Sequence, residues 1–206
     1  MMHAAESEAE DQLLREGCGQ FAEGLAKRSI EWNAPRVSTI QYLKQVGVLR
    51  VRPLVAHCIR VDEADIEALR DMGAKVAHCP KSNAKLGHGR APFGKFLKAG
   101  VAVGVGSDSV ASNNTCDMLE ETRFATLLAR MDGRISANQA LESATIGGAR
   151  CFDLEDHIGQ LKGGFQADLI VVSLTSVHQM PNFDPIATLI FASSGRDVIL
   201  TVIGGR

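Results

Sequence analysis

Three short runs decide the fold: Pro53-Leu-Val-Ala-His-Cys58, Ala74-Lys-Val-Ala-His78 and Val101-Ala-Val-Gly-Val-Gly-Ser-Asp108. Each is a mainly apolar strand rather than an alternating one, and each leads into a helical pattern. After the first, Asp62 stands as N-cap to a helix carrying Ile66, Leu69 and Met72, with Gly73 as its terminator. After the second, a loop over 80–89 precedes a helix that Pro92 opens and that runs through Leu97 to Gly100. The third is followed by a polar loop, a helix over about 115–129, and a further helix capped by Ser136 and ending near Gly147 and Gly148. Strands without alternation imply a parallel sheet covered on both faces, and strict βα alternation implies a barrel or a doubly wound sheet. Three or four such units are too few to close a barrel. A complete eightfold barrel takes about 250 residues, so this stretch is read as at most its second half.

Upstream, Leu13, Leu14, Phe21 and Leu25 fall at roughly helical spacing among charges and are interrupted by Gly17 and Gly19, which predicts a helix and a loop over 7–27. Ser38 can cap a short helix over 39–46, in which Ile40, Leu43 and Val46 share a face. The opening residues Met1-Met2-His3-Ala-Ala-Glu6 run at once into an acidic helical pattern without a leading strand of normal length, as if sequence were missing in front. Beyond residue 150 the texture changes. Gly159, Gly163 and Gly164 punctuate short runs, and Asp168-Leu-Ile-Val-Val-Ser-Leu174 and Asp197-Val-Ile-Leu-Thr-Val-Ile203 are β-branched strand candidates. The expected division is therefore an α/β domain over 1–150 and a small β-domain over 151–206.

Composition narrows the partners. With 206 residues, 45% hydrophobic content, 22% charged and a net charge of −2, the chain lacks the basic excess that nucleic acid or an anionic membrane attracts, which leaves a small molecule. Five cysteines without a CxxC pair or regular spacing argue against a disulfide framework and for a reducing compartment. No apolar stretch approaches the ~20 residues of a membrane span. Three acids among the first ten residues do not suit a signal peptide. The expected location is the cytoplasm.

His3 with Glu6, His57, the 80–89 loop and Asp108 all stand at the ends of strand-type runs, where a parallel α/β barrel gathers its active site. Each also has a structural reading: a histidine ending a strand is commonly a hydrogen-bonded framework residue, Asp108 can cap the segment after it, and Glu6, Glu8 and Glu10 can form a solvated helix face. Their joint position favours chemistry. Imidazole and carboxylate are ligands for Zn²⁺ or Fe²⁺ in sites that leave one position open to water. Such an ion lowers the water's pKa toward ~7. Glu6 can then move a proton to a departing amine.

His3-Ala-Ala-Glu6 with Glu10, Val55-Ala-His57-Cys58, His78-Cys-Pro-Lys-Ser-Asn83, Gly87-His-Gly89 with Ala91-Pro92, and Gly106-Ser-Asp108-Ser with Ala111-Ser-Asn113 resemble the amidohydrolase superfamily, most nearly its deaminase and chlorohydrolase branch. That branch includes deaminases of S-adenosylhomocysteine, methylthioadenosine and aminofutalosine. The tail is similar too, in Ala144-Thr145, Gly148-Ala149-Arg150, Ile158-Gly159, Gly163, Ala167-Asp168 and the final Gly204-Gly-Arg206. The resemblance implies strands five to eight of a metal-dependent hydrolase TIM barrel over 1–150 and the C-terminal part of a composite β-sandwich over 151–206.

It further implies that His3 and Asp108 bind one divalent metal, zinc ahead of iron, and that Glu6 is the general acid/base. His57 would orient the attacking water or the leaving group, Asp108 would also accept the water's proton, and Ser82, Asn83 and His88 would shape the substrate pocket. His78, His157 and His178 are read as structural. Family members carry a His-x-His pair on the first strand, and no such pair occurs in this sequence. Two ligands of an expected four remain. The implied reaction is hydrolysis of a non-peptide carbon–nitrogen bond: deamination by water of an aminopurine nucleoside or a related heterocycle. The alternatives are dechlorination or amide hydrolysis on the same scaffold, or a non-catalytic truncated fragment. Uncovered strand edges in an open half-barrel lead us to expect a homo-oligomer.

Overall fold

The computed structural model describes residues 1–133 and 135–206. The chain divides into two compact units, residues 1–76 with 83–102 and residues 77–82 with 103–206.

The first unit opens with β1 (Met2–Ala4), followed by α1 (Glu8–Arg15), α2 (Gly19–Lys27) and α3 (Thr39–Gln45). The expected helix and loop over 7–27 is thus two helices. Ser7 caps α1 by accepting from the Glu10 N–H, and Gly17 and Gly19, both at positive φ, turn the chain between α1 and α2. Ser38 caps α3 as expected, accepting from the Gln41 N–H. Then come β2 (Leu54–His57), buried at every position, and α4 (Glu63–Asp71). Asp62 and Asp65 form a full capping box at the start of α4, each side chain accepting from the other's backbone N–H. Ile66, Ala68 and Leu69 supply its buried face. Asp65 itself is fully buried and accepts a 2.5 Å hydrogen bond from Ser38 Oγ, which ties α4 to the start of α3.

β3 (Lys75–His78) leads to α5 (Pro80–Lys85) and α6 (Phe93–Ala99). The 80–89 segment, expected as a loop, therefore begins as a helix. Ser82 and Asn83 turn their polar groups inward there, so the helix has no apolar face for a hydropathy pattern to report. β1 and β2 pair in parallel, with Met2 opposite Val55, His3 opposite Ala56 and Ala4 opposite His57. The sheet order is β1-β2-β3-β4, following the chain. The α/β class and the parallel pairing agree with the apolar strands of the sequence.

The second unit holds β4 (Val103–Val105), α7 (Val110–Asn113), α8 (Met118–Arg130), α9 (Ala137–Ala144) and α10 (Ile146–Cys151). The third apolar run stops as a strand at Val105, so Asp108 lies in a turn beyond it, and α8 starts three residues later than expected, capped by Asp117. Gly147 and Gly148 do not end a helix but lie inside α10. A Cβ on Gly147 would sit 2.7 Å from the Val103 carbonyl oxygen, and one on Gly104 would sit 2.9 Å from Gly148 Cα. These glycines let α10 lie directly on β4, a packing demand that a helix terminator would not explain.

The remainder contains β5 (Leu169–Val172), α11 (Pro185–Ala192) and β6 (Val198–Val202), with β5 and β6 antiparallel. Ile170, Val171, Ile199 and Leu200 are exposed on this ribbon. All five cysteines are free thiols, Cys58, Cys79 and Cys151 buried and Cys18 and Cys116 exposed. No helix of the described residues is long and apolar enough to cross a membrane.

Candidate active site

In the first unit the ends of β1 and β2 bend sharply. Ala5, His57 and Cys58 all adopt left-handed φ, at 53°, 74° and 47°. Non-glycine residues there cost of order 1–3 kcal/mol each and persist only where the surroundings fix them. The Ala5 carbonyl provides part of that support by accepting from both Ile59 N–H (2.7 Å) and Arg60 N–H (2.8 Å). Glu10 provides more. Its two carboxylate oxygens accept from Ala5 N–H at 2.9 Å and Glu6 N–H at 3.0 Å, so it is a clamp on this turn rather than part of a solvated face.

Five of the expected residues, His3, Glu6, His57, Asn83 and His88, come together at this bend. The His57 ring, 1% exposed, hydrogen bonds through Nδ1 to Asn83 Oδ1 at 2.8 Å. With a carbonyl oxygen as partner, the ring donates through Nδ1, and Nε2 is the nitrogen that faces Glu6. Glu6 Oε1 lies 3.6 Å from His57 Nε2 and 3.6 Å from His88 Nε2. His3 is exposed, and its ring stacks on His57 with centroids 5.2 Å apart. Cys58 is no rival nucleophile: burial pushes its thiol up, with Glu10 and Asp65 adding to the effect, so it stays protonated.

In the second unit Asp108 also has a left-handed φ, 59°. Both of its oxygens are engaged: Oδ2 accepts from Ser82 Oγ at 2.6 Å and Oδ1 from the Ser109 N–H at 2.7 Å. Ser82 is fully buried, and Asn83 is 1% exposed. Of the three residues expected to shape a substrate pocket, Ser82 and Asn83 are therefore turned onto Asp108 and His57, and His88 faces Glu6.

Two residues went unnoticed in the sequence as site supports. Glu10 stands three residues after the helix cap Ser7, a capping-box spacing that was available as a signal. Glu121 is wholly buried in α8 and accepts from Asn113 Nδ2 and from Lys81 N–H. Nothing in the sequence marks it among its charged neighbours. Burial pushes its carboxyl up, and these hydrogen bonds only partly oppose that.

Among the described residues, no three His, Cys, Asp or Glu side chains are grouped so as to hold a metal ion. His3 and Asp108 are donors of the kind catalytic zinc takes, but a catalytic zinc takes three protein ligands. The described residues offer metal-type donors without a group of three that would hold an ion.

The amidohydrolase family model matches residues 1–206. A 5-methylthioadenosine/S-adenosylhomocysteine deaminase of Pelotomaculum thermopropionicum is 39% identical over 209 residues, covering all of this chain and 44% of the relative. An adenosine deaminase from Xanthomonas campestris, solved with bound zinc, superposes with a TM-score of 0.84 at 30% identity, covering 99% of this chain and 44% of that one. Atrazine chlorohydrolase from Arthrobacter aurescens, solved with zinc, superposes with a TM-score of 0.77 at 26% identity, covering 98% and 42%. The chain thus spans less than half the length of these relatives, and along its whole length it belongs to the amidohydrolase family.

Proposed function

We propose that this chain carries the acid–base residues of a hydrolytic deaminase acting on an aminopurine nucleoside, in the cytoplasm. The fold reading that goes with it is the second half of a TIM barrel, strands five to eight, with residues 151–206 contributing to a β-sandwich. The observation that carries the functional reading is Glu6: a partly exposed carboxylate 3.6 Å from each of two imidazole nitrogens. Such a group can take up and release a proton without breaking a hydrogen bond.

In the reaction, water adds to the ring carbon that bears the amino group, Asp108 accepts the proton the water sheds, and Glu6 delivers a proton to the departing amine. Ammonia and the ring carbonyl are the products. His57, held through Nδ1 by Asn83, orients the water or the leaving group with Nε2. His88 and the inward-turned Ser82 and Asn83 set the shape of the substrate pocket. A divalent ion, zinc ahead of iron, belongs to this reading, and when bound it supplies a water whose pKa is lowered toward ~7. His3 and Asp108 are the donors we assign to it.

The absence of a three-donor group among the described residues favours a second reading, a chain that catalyses nothing by itself. One experiment separates the readings: a chimera in which this chain replaces the matching 209 residues of the Pelotomaculum deaminase, assayed with methylthioadenosine, S-adenosylhomocysteine, adenosine and atrazine. Ammonia from at least one nucleoside, without chloride from atrazine, is expected. A folded, zinc-loaded chimera that releases neither would support the non-catalytic reading, and chloride release would support a chlorohydrolase.

A further inference from the structure

Six residues of the second unit close a hydrogen-bonded ring. Glu121 Oε1 accepts from Asn113 Nδ2, and the same amide nitrogen donates to the Ser107 carbonyl oxygen at 2.5 Å. Ser107 is joined through the chain to Asp108, whose Oδ2 accepts from Ser82 Oγ at 2.6 Å. Ser82 is joined through the chain to Lys81, whose backbone N–H donates back to Glu121 Oε2 at 3.3 Å. Glu121 and Ser82 are fully buried, and Asn113 is 6% exposed. A second strand of contacts braces the ring, because Lys81 Nζ donates to Thr115 Oγ1 at 2.7 Å and Thr115 Oγ1 donates to Asn113 Oδ1 at 3.2 Å.

We propose that Glu121 is the positioning residue for Asp108: its two carboxylate oxygens set the distance between the Ser82 end of α5 and the Ser107–Asp108 turn. The proposal deepens the functional reading above and rests on it only for the use to which Asp108 is put. The geometry calls for a carboxylate. Two N–H donors, one from a side chain and one from the backbone, converge on two acceptor oxygens, whereas a carboxamide would offer one oxygen and turn its own NH₂ on the other donor. A hydrogen-bonded network of this kind, buried at Glu121, Ser82 and Asn113 and part-buried at the other members, specifies one arrangement, and opening it at Glu121 leaves the Asn113 amide and the Lys81 N–H without that acceptor. Asp108 needs such a constraint, because its left-handed φ is unfavourable for a residue with a side chain.

The test is residue-resolved amide exchange on the 206-residue chain. The reporter is Ser109, whose N–H is bound by Asp108 Oδ1 and so reads whether that carboxylate is held. In Glu121→Ala, Ser109 should exchange faster by about tenfold or more, while the amides of β5 and β6 keep the parent rates. Glu121→Gln, which retains one of the two acceptors, should fall between. If Glu121→Ala does not fold, Asn113→Ala opens the same ring from the other side and should give the same local loss. Unchanged exchange at Ser109, or a parallel rise across the whole unit, would overturn the proposal. The readout does not depend on turnover, so a chimera that releases no ammonia would count against the functional reading alone.

Discussion

Glu6 and Asp108 are both acids just beyond a strand, and the molecule treats them in opposite ways. Among the described residues the Glu6 carboxylate meets only two imidazole nitrogens, each at 3.6 Å, beyond hydrogen-bond reach. Its backbone, by contrast, is clamped by Glu10. Both Asp108 oxygens accept short hydrogen bonds, and the donor Ser82 is itself fully buried. A carboxylate left without donors can swing to follow a leaving group, while one that must present an oxygen in a fixed direction is best pinned. In the reaction proposed above both acids move a proton, and the contrast is between one free to swing and one held in a fixed direction.

The most severe test of that contrast uses the chimera described above. Glu6→Gln should keep its zinc, because a neutral amide of the same shape leaves the metal's donors alone, while ammonia release falls by ~10²-fold or more. Asp108→Ala should lose zinc and turnover together, since it removes a donor. Elemental analysis beside the ammonia assay reads both. Near-parent turnover in the Glu6→Gln protein would end the proton-shuttle role and leave the family resemblance supporting only the fold.

A middle-sized effect lies in stability. Ser82→Ala removes the hydroxyl that pins Asp108 and should lower unfolding stability by about 1.5–3 kcal/mol, the usual worth of a hydrogen bond to a charged group. His88→Ala touches only the long contact to a partly exposed Glu6 and should stay within about 0.5 kcal/mol of the parent. Urea denaturation of the two variants measures the difference. Equal losses would mean that the two acids are held alike.

The sequence makes legible whatever hydropathy or capping encodes. The strands at Leu54–His57 and Lys75–His78 stand out because they are mainly apolar, and Asp62, Ser38 and Ser136 announce helix starts because an acid or hydroxyl can receive the first free N–H groups. The residues to which we assign the proposed reaction are equally visible, since His3, Glu6, His57 and Asp108 are chemically distinctive and end strand-type runs. Their supports are not. Ser82 and Asn83 are polar residues on the inward side of a six-residue helix, so the pattern that finds helices reports a loop. Gly147 and Gly148 carry the same letters as a terminator, and only the nearness of Val103 to Gly147 and of Gly104 to Gly148 reveals that they are contact residues. Glu10 and Glu121 act through backbone and amide donors brought near by folding; only the spacing of Glu10 from Ser7 hints at such a role, and Glu121 does not differ in sequence from an acid on a solvated face.

The smallest expected effect is a slope in pH, and it tests how the pinned acid is anchored. Burial pushes the Glu121 carboxyl above its ordinary 4.5, against the lowering pull of Asn113 and the Lys81 N–H. For an acid raised in this way, the folded chain keeps its proton to higher pH than the unfolded chain does. Between the two values the folded state therefore binds more protons, so stability declines as pH rises through that window and stays lower above it. Asp197 carries the opposite sign: the Ser194 N–H is the largest cause holding it low, with help from His178, so its contribution is present above 3.8 and lost as pH falls through the lowered value. Glu121→Gln should remove the first slope and leave the second, while Asp197→Asn should do the reverse, in unfolding midpoints followed from about pH 3 to about pH 7. If Glu121→Gln left the profile above 4.5 unchanged, the carboxyl would be ionised in both states across that range. Asp108 would then be held through a solvated contact, and its difference from Glu6 would rest on Ser82 alone.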